Sequence, residues 1–131
     1  MRKICVFIIG ILIPMMVSAQ NDWANYNRYA EANAQVTEAP KAVLMGDSIT
    51  DGWPFADPEF FSENNFVGRG ISGQVTSQML LRFRQDVVDL HPKYVVILAG
   101  TNDIAENSGK IDIEKTFGNI VSMCDLAKAN G

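Results

Sequence analysis

The sequence predicts an α/β fold, a three-layer sandwich in which helices cover both faces of a parallel sheet. Three observations carry this. Ala42-Val43-Leu44-Met45 is a short apolar run closed by Gly46, which suits a buried strand. Tyr94-Val95-Val96-Ile97-Leu98-Ala99 is apolar at every position, as in a strand covered on both faces. Between them, Thr76 to Leu90 repeats with a helical period, and apolar strands joined by helical crossovers pair in parallel.

Residues 1–19 read as an export signal. Arg2 and Lys3 make a positive start, Ile4 to Val17 is an uncharged apolar run, and Val17-Ser18-Ala19 offers the small residues a signal peptidase reads. The run is 14 residues long, whereas ~20 are needed to span the hydrocarbon core. The alternative is an N-terminal membrane anchor. Cys5 lies inside the apolar run and not at the cleavage point, which argues against a lipid attached there. Cleavage near Ala19 leaves residues 20–131 as one exported domain with no stable membrane span.

The opening helix is expected over Trp23 to Val36, with Trp23, Tyr26, Ala30 and Ala34 on one face and Pro40 as the stop. The Ala42 strand follows. A weaker strand around Asn65 to Val67 stops in Gly68-Arg69-Gly70-Ile71-Ser72-Gly73. The next helix carries Leu80, Phe83, Val87 and Leu90 on its stripe and ends before Pro92. After the Tyr94 strand, a last helix from Ile113 to Lys128 places Ile113, Phe117, Ile120, Val121 and Cys124 on its apolar face.

Composition narrows the function. The chain has 131 residues, 47% hydrophobic and 20% charged, enough apolar mass for a core. Without Arg2 and Lys3, 9 basic residues face 15 acidic ones, with no basic cluster to neutralise a phosphate backbone, so nucleic acid is not an expected partner. Cys124 is alone once Cys5 leaves with the signal, which excludes an internal disulfide; it reads as a small buried hydrophobe. One His and one Cys cannot build a structural zinc site, and no metal or other cofactor is expected.

In open parallel sheets chemistry collects beyond the carboxyl ends of the strands. All three expected strands end there in polar, Gly-containing loops: Gly46-Asp47-Ser48-Ile49-Thr50, Gly70-Ile71-Ser72-Gly73 and Gly100-Thr101-Asn102-Asp103. Singly, each is also ordinary turn or helix-cap composition. Together, in this order, they resemble the three leading sequence blocks of the SGNH hydrolases, also called GDSL-type esterases. The likeness runs from about residue 40 to Gly131.

The resemblance implies the flavodoxin-like SGNH fold and an acyl-transfer site acting on a small-molecule ester. Ser48 would attack the ester carbonyl. The N–H groups of Ser48 and Gly73 and the side-chain amide of Asn102 would form the oxyanion hole, each donor worth ~3 kcal/mol in the transition state. Asp47 fits either a loop-fixing hydrogen bond or a direct role. Trp53, Pro54 and Phe55 fit either an acyl pocket or ordinary packing. Gly68 and Gln74 depart from the family's commonest wording, and these departures bear on the substrate rim rather than the hole.

The family supplies its base from an Asp-x-x-His pair near the C-terminus, and no such pair occurs here. His91 precedes the Tyr94 strand and belongs at the amino edge of the sheet, ~20 Å from Ser48 across six strand residues. A base must come within ~3 Å. By analogy with the family's strand order, the Tyr94 strand should be central and paired by a later strand, so the chain is expected to be the N-terminal portion of a longer esterase. Carbohydrate or lipid esters with short acyl groups such as acetyl are the implied substrates. Two other readings remain. One is a non-catalytic exported α/β binding module that keeps the loops without the base. The other, a flavodoxin-like nucleotide binder, is set aside by export and for want of a P-loop or a Gly-x-Gly-x-x-Gly opening a helix.

Overall fold

The computed structural model describes residues 22–131; the expected signal segment, its cleavage point and Cys5 lie outside them. Three strands, β1 (Ala42–Gly46), β2 (Phe66–Gly70) and β3 (Tyr94–Leu98), form a parallel sheet in the order β2-β1-β3. The register is flush, with Gly46 beside both Gly70 and Leu98. All three strands therefore end at one level.

β1 is central and buried throughout, and its alternation sorts the two layers. Val43 and Met45 face a cluster with Met79, Phe83, Val87 and Met123, while Ala42 and Leu44 face Phe61 with Phe60 and Phe66. The first layer comprises α4 (Thr76–Asp86) and α6 (Ile113–Ala129), and the second α2 (Ser48–Ala56) and α3 (Pro58–Asn64). α2 starts on the Asp47 carboxylate, which accepts the Ile49 N–H at 3.2 Å. Asp57 repeats the device for α3 by accepting the Phe60 N–H at 3.2 Å, with Pro58 as its first helical residue.

Several elements depart from the sequence expectation. The opening helix is reduced to a 3-10 turn (Tyr26–Arg28) and the short α1 (Ala30–Ala34). The Gln74, Gln78 and Gln85 amides hold the carbonyls of Ala24, Trp23 and Tyr26 at 2.8, 2.6 and 2.6 Å, binding this segment to α4 in a non-helical path. β2 continues through the glycine stretch to Gly70, and the helix after it gives way to a 3-10 turn at Val88–Leu90.

β3 is an apolar edge strand: among the described residues its only partner is β1. One face, Val95 and Ile97, packs into the core. The other, Tyr94, Val96 and Leu98, is 54, 52 and 44% exposed, because α2 and α3 stop short of it. The apolar stripe expected on α6 also faces outward at Ile113, Phe117 and Val121. A second stripe, with Thr116, Ile120, Met123 and Ala127, makes the contact with α4 and the core, and Cys124 is half-buried beside it. A short α5 (Thr101–Ile104) follows β3.

Candidate active site

The flush register brings the three expected loops to one edge, and hydrogen bonds then lock them together. Ser48 is the first residue of α2 and is exposed at the end of β1. Asp47 behind it is buried and caps the helix; of its two expected roles, the loop-fixing bond is the one observed. The N-terminus of α2 thus presents free N–H groups and the positive end of the helix dipole beside the Ser48 hydroxyl.

The second loop is pressed against this turn. The Ile71 N–H donates to the Gly46 carbonyl at 3.0 Å. A Cβ at Gly70 would lie 2.1 Å from the Asp51 nitrogen and 2.4 Å from the Thr50 carbonyl carbon, so only glycine permits the approach. Asp51, one turn along α2, accepts from both the Ser72 N–H (3.0 Å) and the Ser72 hydroxyl (2.8 Å), and from Arg28 at 3.3 Å. Burial alone would raise the Asp51 carboxyl, but the Ser72 bonds and the Arg28 guanidinium outweigh it and hold the group below its ordinary value. Gly73 follows, exposed and in the left-handed region at φ +78°.

The third loop is tied to the end of the second loop and to the start of α4. Asn102 Nδ2 donates to the Gln74 carbonyl at 3.0 Å, and Asn102 Oδ1 accepts from Asn107 at 2.6 Å. A side-chain amide carries two hydrogens, and the Gln74 carbonyl takes one of the two on Nδ2. Asp103 is buried and accepts from the Thr76 N–H at 2.9 Å and the Thr76 hydroxyl at 2.6 Å. It caps α4 from across the loop. Beside Gly100 and Thr101 opens a largely apolar cleft of about 450 Å³, walled by Ile104, Ile113 and Phe117.

Beneath the loops lies a polar layer that the sequence reading missed. Arg82 is sealed from solvent. Its guanidinium donates to Gln74 Oε1 (2.6 Å), Asp86 Oδ2 (2.8 Å) and the Arg69 carbonyl (2.9 Å), with a longer 3.4 Å approach to the Gly46 carbonyl. It therefore pins the ends of β1 and β2 and the residue that follows the second loop at one point. Burial lowers its pKa, opposed by Asp86. Asn33 links the same Asp86 to Arg69 through bonds of 2.7 Å each. Tyr29 lies under the Arg69 guanidinium and donates to the Gly70 carbonyl; burial, then Asp51, raises its pKa. The available signal was an Arg-x-x-x-Asp pair at Arg82 and Asp86 on the same side of the helix as Met79 and Phe83.

The Gln74 side chain is buried against Ala24 and Arg82, so it is not part of a substrate rim. Gly68 makes room for Pro54, whose Cγ would lie 2.5 Å from a Cβ there. Trp53 stacks on Phe60 at 5.2 Å, whereas Phe55 is 81% exposed. His91 is exposed on the connection into β3, at the amino edge, across the sheet from Ser48. The stretch Gly68 to Gly73 does have the Gly-x-Gly-x-x-Gly spacing. Its first two glycines lie inside β2 and α4 begins only at Thr76, which is not the turn that cradles a pyrophosphate. Among the described residues no three His, Cys, Asp or Glu side chains gather as metal donors.

Residues 44–131 match the profile of the GDSL-like lipase/acylhydrolase family. A crystal structure from Bacteroides fragilis described as an acylhydrolase is 54% identical and superposes with a TM-score of 0.81, over 85% of this chain and 55% of that one. A GDSL-like lipase from Bacteroides thetaiotaomicron is 55% identical with a TM-score of 0.78, over 82% of this chain and 55% of that one. YqeF, an uncharacterized lipoprotein of Bacillus subtilis, is 34% identical over 106 residues, 68% of this chain and 44% of its own length. The chain thus spans about half the length of these relatives.

Proposed function

The chain belongs to the GDSL-like lipase/acylhydrolase family, and on that premise we propose that it carries the nucleophile and oxyanion hole of an exported serine esterase. Ser48 attacks the carbonyl carbon of a bound ester. The developing oxyanion is held by the Ser48 and Gly73 N–H groups and the free hydrogen of Asn102 Nδ2. The observation that carries this reading is the interlocking of the three loops at one sheet edge. Asn102 holds the Gln74 carbonyl and Asp51 holds Ser72, so Gly73 is gripped from both sides. Substrates are esters with short acyl groups, such as acetyl, on carbohydrates or lipids.

Export is supported by the make-up of residues 1–19 and by the lipoprotein name of the Bacillus subtilis relative. Among the described residues no helix is long and apolar enough to cross a membrane.

A serine needs a base to become a nucleophile. Asp51, one turn from Ser48, has its oxygens occupied by Ser72 and Arg28, and His91 is at the far edge. Catalysis therefore requires a base that residues 22–131 do not place near Ser48. This observation favours the second reading, a binding module that keeps the loops without turnover. Hydrolysis of p-nitrophenyl acetate by the full-length protein, beside Ser48→Ala, decides between them. The esterase reading expects the substitution to reduce turnover by a factor of about 10³ or more. Equal rates for the two proteins would leave the binding module.

A further inference from the structure

We propose that Asp51 is a positioning residue for the oxyanion hole: its carboxylate clamps Ser72 to the nucleophile helix, so that the adjacent Gly73 N–H is aimed at the space in front of Ser48. The proposal rests on the reading of Ser48 and Gly73 given above.

Gly73 needs an external restraint. It stands at φ +78°, and apart from its chain neighbours no described residue lies within 4 Å of where its Cβ would be, so packing among the described residues does not fix its conformation. Glycine is the residue with the widest choice of backbone angles, and a donor that wanders loses its value as a preorganised dipole. The restraint must come from its neighbours. On the far side, the Gln74 N–H donates to the Ile71 carbonyl at 3.2 Å, and the Gln74 side chain is buried between Ala24 and Arg82. On the near side the only side-chain restraint among the described residues is Asp51.

The form of that contact suits the role. One oxygen, Oδ2, accepts both the backbone N–H and the hydroxyl of Ser72, which fixes that residue's main chain and its χ1 together. Asp51 follows Ser48 by three residues in α2, so the two share one helix face. A shift of the nucleophile turn is thus passed directly to the Ser72–Gly73 peptide. Arg28 holds the other oxygen at 3.3 Å and keeps the carboxylate turned toward the loop.

The test uses the full-length protein with Asp51→Ala, Asp51→Asn and Ser72→Ala, beside Ser48→Ala. Two quantities are read: kcat and KM for p-nitrophenyl acetate, and the backbone order parameters of Ser72 and Gly73 by NMR relaxation. Asp51→Ala is expected to lower kcat about tenfold or more with KM within about twofold, the split of a group acting on the transition state. The order parameter of Gly73 should fall while those of β1 stay unchanged. Asp51→Asn, which keeps one acceptor, should recover part of both. If Asp51→Ala does not fold, Ser72→Ala and Asp51→Asn carry the test, each expected to lower kcat by about two- to tenfold with a lower Gly73 order parameter. Full kcat and an unchanged Gly73 order parameter in the folded variants overturn the clamp while an inactive Ser48→Ala leaves the esterase reading standing. A Ser48→Ala protein as active as the parent, or a parent without turnover, overturns both.

Discussion

The Nε–H of Arg82 donates to Gln74 Oε1 at 2.6 Å, with both side chains closed off from solvent. Gln74 directly follows Gly73, and its own carbonyl receives the Asn102 amide. One buried guanidinium thus sets the height of two loops, while its other nitrogens hold the Asp86 carboxylate and the Arg69 carbonyl.

Replacing Arg82 should therefore cost far more than a surface arginine would. Arg82→Met leaves Asp86 as a buried anion without its guanidinium, and breaking one side of such a pair costs about 3–5 kcal/mol. Urea denaturation measures it. The double variant Arg82→Met, Asp86→Leu should recover a large part of the loss, because it removes the stranded charge. A single variant within about 1 kcal/mol of the parent would show that the pair is not structurally required.

Two glycines three residues apart should respond in opposite ways to alanine. At Gly70 the new methyl meets backbone at 2.1 Å, which cannot swing aside, so Gly70→Ala should not give a folded protein. At Gly73 there is open space but a positive φ, and the penalty is the left-handed conformation alone, about 1–2 kcal/mol. Gly73→Ala should fold with a Tm several degrees lower. Circular dichroism melts of the two proteins check both halves.

Much of this site was legible in the chain itself. The apolar runs at Ala42 and Tyr94 gave strands, and the polar loops behind Gly46, Gly70 and Leu98 fell at one edge because parallel strands in register must end together. What escaped were polar contacts between residues distant in sequence. Tyr29 bonds the carbonyl of Gly70, 41 residues away, and Gln85 bonds that of Tyr26, 59 away. Such bonds override a local helical pattern, and they shortened the expected opening helix. The last helix stands where its period places it, from Ile113 to Ala129, but its buried face differs from the expected one for another reason. It carries two apolar stripes, and the one bearing Phe117 is 65% exposed at that residue while Met123 is buried. Periodicity finds stripes but does not say which one meets the core.

Asn102→Ala separates catalysis from folding. It removes the proposed oxyanion donor, the bond to the Gln74 carbonyl and the bond from Asn107. In the full-length protein kcat should fall by about 10²–10³, while stability changes by only about 1–2 kcal/mol. Steady-state kinetics and a thermal melt on the same sample give both numbers. A large loss of Tm with a small loss of kcat would assign Asn102 to loop structure instead.

Asp103 invites the reverse expectation. Its carboxylate is the acceptor for the Thr76 N–H and hydroxyl at the start of α4. Asp103→Ala strands both of these buried donors, at about 1–3 kcal/mol each, and also removes the longer 3.4 Å contact from the Thr116 hydroxyl. Asp103→Asn keeps one acceptor oxygen and should fall between the parent and Asp103→Ala. Chemical denaturation of the three proteins should rank them in that order; an Asp103→Ala protein as stable as the parent would remove Asp103 as the cap of α4.

The acid limb of stability should carry the signature of Asp51. Its carboxyl is held below the ordinary value: burial raises it, but the Ser72 hydroxyl, the Ser72 N–H and Arg28 together outweigh that. A depressed folded pKa means that the unfolded chain takes up the proton first as pH falls. The contribution is therefore present in full above the unfolded value, about pH 4, and drains away as pH drops toward the folded one. Asp51→Asn does not titrate. The Tm difference between parent and Asp51→Asn should be constant from about pH 5 upward and shrink below about pH 4. Because the Arg28 partner is half-exposed, the charge component should be under about 1 kcal/mol and weaken with salt. Scanning calorimetry from pH 2 to 7 at two ionic strengths measures it. A Tm difference that persists unchanged to pH 2 would mean that the Asp51 bonds do not depend on its charge.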